Sequence, residues 1–171
     1  HITPQSQFSS QGVDGDLETQ GAGDQGVMFG YACSETEGTP ELRGRFFPLS
    51  AALAQRLTRR LEMVHGEGII PGARPDGKSQ VTVQLNEGDL SFNRVSTVVI
   101  ASQHAPGAGP NWPEKDDLTD EERRQYIESE ITKHVVEHAI PPSLLESPQI
   151  IVNGTGSFPD PGGPYADAGL T

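Results

Sequence analysis

Residues 80–102 read QVTVQLNEGDLSFNRVSTVVIAS. Val81, Val83 and Leu85 alternate with Gln80, Thr82 and Gln84, a period of two that turns one face inward and leaves the other polar. Asn86-Glu87-Gly88-Asp89 supplies turn residues. The return strand is predicted from Leu90 to Ser102, with Val95, Thr97 and Val99 on one side and Val98 and Ile100 on the other. A lone hairpin is marginal in water, so the flanking segments must cover its apolar face.

Two helices are available to do so. Leu49, Leu53, Leu57, Leu61 and Val64 recur at near-helical spacing behind Pro48, which suits a first helical turn, and Gly66 is a natural C-terminal stop. Further on, Thr119-Asp120-Glu121-Glu122 reads as a capping box opening a helix that runs to about Ala139. Ile127, Ile131 and Val135 form its buried stripe, Pro141-Pro142 ends it, and Gln149 to Asn153 is a final strand. Val27 to Cys33 is a short strand candidate, while 34–47 and 104–118 are Gly/Pro-punctuated loops, the second holding Trp112. The order strand, helix, hairpin, helix, strand predicts an α+β domain, a mainly antiparallel sheet with two helices on one face. Val98 and Ile100 then leave the opposite face apolar, and it is expected to meet a second sheet or subunit.

A length of 171 residues suffices for a core, and 12 Lys+Arg against 24 Asp+Glu give a net charge of −12. Such a surface repels phosphate backbones and anionic lipid, which argues against nucleic acid and membrane as partners. No apolar run approaches the roughly 20 residues of a membrane helix. The single cysteine, Cys33, cannot form an internal disulfide, which fits a reducing, cytoplasmic setting; it reads as a small packed residue rather than a nucleophile. Asn153-Gly154-Thr155 matches a glycosylation sequon, read as unused without a secretory signal. His1-Ile2-Thr3-Pro4 enters as if in mid-strand and Thr171 lies in a glycine-rich loop, so the chain is expected to be part of a longer protein.

Four segments carry candidate chemistry. At 21–31, GAGDQGVMFGY sets Asp24 in a glycine-rich loop that lets backbone approach a ligand while the carboxylate accepts from hydroxyl or amine donors. At 74–81, RPDGKSQV reads as a proline-stiffened loop feeding directly into a strand, with Asp76 and Lys78 two residues apart near the strand's start, where a carboxylate and an ammonium can share a face. On spacing alone a local salt bridge is the commoner outcome there, against a lysine suited to phosphate. The third segment is Asn153 to Phe158 with 162–171, GGPYADAGLT, and the fourth is 5–13, QSQFSSQGV; both compositions also describe ordinary surface loops. His134 and His138, one turn apart with Glu130 before them, could hold a metal, but a solvated helix face is the commoner reading, and no metal ligand is assigned. No P-loop and no dinucleotide-binding glycine pattern follows a strand.

Together these segments resemble the S-adenosylmethionine synthetases (methionine adenosyltransferases), in the right order: GAGDQG at 21–26, the RPD-x-K-[ST]-QVT motif at 74–82, and the N-P-[ST]-G-R-F-x-x-G-G-P-x-x-D-x-G-L-T run from Asn153 onward. The resemblance implies the middle third of such an enzyme, one unit of a threefold-repeated fold. It further implies formation of S-adenosylmethionine from ATP and L-methionine, with release of phosphate and diphosphate. Mg²⁺ and K⁺ would be the cofactors, with ligands outside this segment, and the assembly a homodimer or dimer of dimers. By the match Asp76, Gly77 and Lys78 would contact ATP, with Lys78 catalytic. Ser157, Phe158 and Asp167 would also lie at ATP, with Phe158 stacking on adenine. Gln5 and Asp167 would contact methionine, and Asp24 is a candidate contact to ribose or methionine.

Residues 1–26 would form an active-site loop with the GAGDQG segment, 27–158 the central α+β domain, and 159–171 the glycine-rich start of the next segment. Several positions depart from the family pattern. Gly154 and Ser157 replace a proline and an arginine, Pro159-Asp160-Pro161 is one residue longer, and Gln7 and Phe8 replace a Pro and an Asp in a loop that covers the site in the family. The segment alone is expected to be inactive. A nucleotide-binding or regulatory relative without synthase activity is the alternative reading of these departures.

Overall fold

The leucine spacing builds a helix, α1, over Leu49–Gly66, with Leu49, Ala52, Leu53, Leu57 and Val64 buried. This is seen in a computed structural model, which describes residues 18, 29–88, 91–114 and 117–159. The chain divides between Tyr31 and Ala32 into two units, and every element below belongs to the second. Pro48 is the residue before α1 rather than within its first turn and offers no capping side chain. Instead the Glu35 carboxylate accepts from the Leu49 N–H at 3.0 Å, placing an anion at the positive end of the helix dipole. Gly66 is the last helical residue, but the left-handed exit belongs to Gly68 at φ +63°.

The strand expected at 27–33 is absent over its described part, 29–33. Cys33, half-buried, donates its backbone N–H to the Phe46 carbonyl at 3.1 Å, so a loop rather than a strand takes that bond. That loop closes on Glu37, whose carboxylate accepts from the Gly44 and Phe46 amides at 3.0 and 3.2 Å. The Gly44 bond is the main reason its carboxyl is held below the usual carboxylate range.

Strands β1 (Ala73–Leu85) and β2 (Phe92–His104) pair antiparallel, and β3 (Gln149–Val152) adds to β2 in parallel. The sheet is therefore mixed, in the order β1-β2-β3. The α+β expectation holds. Three register shifts interrupt the β1–β2 ladder, and the first two alter the reading of the strands. Ala73 pairs with His104 and Gly77 with Ser102, so Arg74, Pro75 and Asp76 face only Gln103. The RPDGK motif thus lies inside a bulged β1 rather than in a loop before it; Pro75, which has no N–H to give a ladder, suits the bulge. Then Thr82 pairs with Thr97 but Val83 with Val95, leaving Ser96 extra. That residue resets the alternation and brings Val95 onto the same face as Val98 and Ile100.

The helices cover this shared face. Val81, Val95, Val98, Ile100 and Val152 are all buried in one core with α1, and Ser79 Oγ donates to the Ala54 carbonyl of α1 at 2.8 Å. Val98 and Ile100, expected on the open face, are fully buried beneath the helices instead, because Val98 stands directly opposite the inward-facing Val81. The open face carries Lys78, Gln80, Thr82, Thr97, Val99 and Ala101, exposed or half-buried.

The second helix, α2 (Asp120–Ile131), opens on the predicted capping box: Thr119 Oγ1 accepts from the Glu122 N–H, and Glu122 accepts from the Thr119 N–H at 2.8 Å. Ile127, Ile131 and Val135 are buried as expected. The helix widens to a π turn over Thr132–Val136 before closing at Glu137–Ala139. Arg60 and Arg56 of α1 donate to the His134 and Ala139 carbonyls at 2.8 and 2.7 Å, tying the two helices at that turn. Arg123, buried on α2, donates to the Ala108 and Leu118 carbonyls and so holds the loop that follows β2.

Candidate functional site

The C-terminal end of β2, Ala101 to His104, is where the sequence-predicted residues gather. On one side runs β1, with Gly77 opposite Ser102 and Lys78 opposite Ala101. Ser79 faces the helices, so alternation turns Gly77 toward them and Lys78 toward the open face. Gly77 has a packing reason for lacking a side chain: a Cβ there would lie 3.3 Å from both Leu61 Cδ1 and the Ala101 carbonyl. Lys78 is exposed and Asp76 half-buried within the bulge, where the strict strand period does not set its direction.

On the other side of β2 the joint is Asn153. Its backbone N–H donates to the Ile100 carbonyl at 2.9 Å, and its buried amide pairs with both backbone groups of Ser102. Oδ1 accepts from Ser102 N–H at 2.8 Å and Nδ2 donates to the Ser102 carbonyl at 3.1 Å. The side chain thereby continues the ladder while the main chain, at φ +48°, turns out of the strand. Gly77 and Asn153 thus adjoin Ser102 from opposite sides, about 10 Å apart by two strand spacings. Asn153→Ala strands both Ser102 groups in a buried position. We expect a loss of about 2–4 kcal/mol in stability, read as a lowered urea midpoint; an unchanged midpoint would refute this role for the amide.

Beyond Asn153 the chain returns to β2. The His104 N–H donates to the Phe158 carbonyl at 3.1 Å, and the Phe158 N–H donates to His104 Nε2 at 3.1 Å. Gln103 Nε2 donates to the Pro159 carbonyl at 2.9 Å. Phe158 is half-buried and Ser157 exposed. The structure therefore brings two of the predicted nucleotide segments, Asp76–Lys78 and Ser157–Phe158, to the two flanks of one strand end. Gln5, Asp24 and Asp167, with the loop 4–13, the GAGDQG segment and the run 162–171, lie outside the described residues.

Asn153, Gln103 and His104 were not among the predicted site residues. The available signal was a polar Ser-Gln-His triplet ending an apolar strand, which as a pattern does not distinguish a strand terminus from a site. His134 Nε2 lies 3.5 Å from Glu130 Oε2, and its ring stacks on His138 with centroids 6.3 Å apart. Among the described residues no group of three His, Cys, Asp or Glu side chains is placed to hold a metal. Nor is any described helix long and apolar enough to cross a membrane.

The family model for the S-adenosylmethionine synthetase central domain matches residues 19–158. The S-adenosylmethionine synthase of Salinispora tropica is 45% identical over 163 residues, covering 91% of this chain and 34% of the relative. That of Salinispora arenicola is 43% identical with the same coverage, and that of Roseiflexus castenholzii is 44% identical over 162 residues, covering 94% and 34%. The chain spans about a third of the length of the curated relatives it matches.

Proposed function

The chain belongs to the S-adenosylmethionine synthetase family, as its central domain, and on that premise we propose that the protein carrying it forms S-adenosylmethionine from ATP and L-methionine. The observation that supports this most is the convergence of Asp76–Lys78 and Ser157–Phe158 on the end of β2. In the reaction the methionine sulfur attacks the ribose C5′ of ATP. The C5′–oxygen bond breaks, and the electron pair leaves with triphosphate, which is then hydrolysed to phosphate and diphosphate. The protein must align the thioether with the leaving oxygen and neutralise the polyphosphate.

In this reading Lys78 supplies a compact positive charge to the leaving polyphosphate. Asp76 and Gly77 line the same contact with ATP, and Phe158 stacks on the adenine ring. Asp167 addresses both ATP and methionine, Gln5 addresses methionine, and Asp24 accepts from ribose hydroxyls or the methionine amine. Ser157 contacts the nucleotide as a hydroxyl where the family pattern has an arginine, a lost positive charge that would weaken nucleotide binding. By the family resemblance, residues 1–26 comprise the active-site loop and the GAGDQG segment, and 159–171 begin the following segment.

Mg²⁺ and K⁺ serve the reaction as cofactors. By the family resemblance their ligands lie outside this segment, and no step here runs through a metal. The setting is cytoplasmic, and the active assembly is a homodimer or dimer of dimers that joins open sheet faces. The complete protein, given ATP, L-methionine and Mg²⁺ with K⁺, is expected to yield S-adenosylmethionine, phosphate and diphosphate in equal amounts. Nucleotide binding without product would overturn the synthase reading.

A further inference from the structure

His104 is buried, with both ring nitrogens engaged, and nothing in the proposed chemistry uses it. Nδ1 lies 3.0 Å from the Ala105 carbonyl and Nε2 lies 3.1 Å from the Phe158 backbone nitrogen. A carbonyl can only accept and a backbone N–H can only donate, so the two bonds together require a neutral imidazole protonated at Nδ1. Its own backbone N–H takes the Phe158 carbonyl. Both main-chain hydrogen-bonding groups of Phe158 are therefore held by one residue.

The segment that carries Phe158 needs this. Gly154-Thr155-Gly156 precedes it, with Gly156 at φ +114°, a stretch with little conformational preference of its own. Among the described residues, besides the turn bond from Gly156 N–H to the Asn153 carbonyl, the bonds that place this segment come from Gln103 and His104.

We propose that His104 is a positioning residue for the nucleotide: as the neutral Nδ1–H tautomer it accepts from the Phe158 N–H and so fixes where the Phe158 ring stands. This rests on the reading of Phe158 as the adenine-stacking residue. Removing the ring acceptor loosens Phe158 while leaving Lys78 and the methionine contacts in place, so nucleotide affinity is the quantity that moves. Glutamine can bring its amide oxygen to the place of Nε2 and preserve the acceptor, whereas leucine fills the space without one.

The test uses the complete protein. His104→Leu is expected to raise KM for ATP about tenfold, the loss of one hydrogen bond to a part-buried amide, with kcat and KM for methionine within about twofold. His104→Gln should restore KM for ATP to within about threefold of wild type. Phe158→Ala separates the two ideas. If it leaves KM for ATP unchanged, the stacking reading fails and takes the proposal with it. If it raises KM for ATP while His104→Leu does not, only the role of His104 fails. Equal loss in the Gln and Leu variants would also overturn it. Nitrogen-15 NMR of histidine-labelled wild-type protein checks the tautomer without any variant: Nδ1 protonated and Nε2 bare is expected near neutral pH. The opposite tautomer, or an imidazolium, would overturn the proposal even if His104→Leu failed to fold.

Discussion

Lys78→Ala in the complete protein is expected to lower the rate of S-adenosylmethionine formation by about 10²–10³-fold, the loss found when one preorganised electrostatic contact to developing charge is removed. The residue is exposed on the open side of β1, opposite Ala101, and contributes nothing to the helix-facing core. Truncation should therefore leave the thermal midpoint close to wild type, within the narrow range typical of surface changes. The leaving triphosphate carries several negative charges, and Lys78 is the one cation in the proposed ATP motif that the ladder aims away from the helices. Lys78→Arg tests geometry against charge: it keeps the cation but spreads it over a planar fork, so partial recovery is expected rather than full activity. Near-normal turnover by a folded Lys78→Ala protein would sink the assignment.

Where sequence and structure agree, the cause is a short-range period. The spacing of Leu49, Leu53, Leu57 and Val64 has one helical solution, and the Thr119–Glu122 capping box is a local exchange of bonds. Alternation at Val81 and Val83 likewise marked the inward face of β1. The differences arise where one extra residue or one distant partner decides. Arg-Pro-Asp-Gly reads as a loop leading into a strand, yet pairing with the end of β2 on both sides of it makes it a bulge in a strand. Ser96 is one inserted residue, invisible to a count by twos, and it moves Val95 across the sheet. The cap of α1 comes from Glu35, fourteen residues upstream of Leu49. Asn153 finds Ser102 across 51 positions, and His104 finds Phe158 across 54. The family motifs pointed to Asp76, Lys78 and Phe158; the residues that hold those segments to β2 are long-range partners that no local pattern records.

The two faces of the sheet can be told apart by a pair of neighbouring substitutions. Ile100→Asp places a carboxylate at a fully buried site in the apolar cluster that holds Val81, Val98 and the leucines of α1. Burying an unpaired charge costs well above the 4–5 kcal/mol that marks the tail of single substitutions, against a typical domain stability of about 5–15 kcal/mol. Loss of cooperative unfolding and of near-ultraviolet dichroism is expected, so this variant reports on the core and says nothing about assembly. Val99 lies next to it in sequence but points to the open face, where it is half-buried between Gln80 of β1 and Ile151 of β3. Val99→Asp should leave the domain folded, because its carboxylate stays in water. It should nevertheless split the proposed homodimer, since closing two such faces would then bury a carboxylate from each partner. Light scattering is expected to find wild type dimeric or larger and Val99→Asp monomeric at micromolar concentration, with synthase activity lost in step. A folded Val99→Asp protein that keeps the wild-type mass would move the subunit contact elsewhere, and a folded Ile100→Asp protein would contradict the burial of β2 beneath the helices.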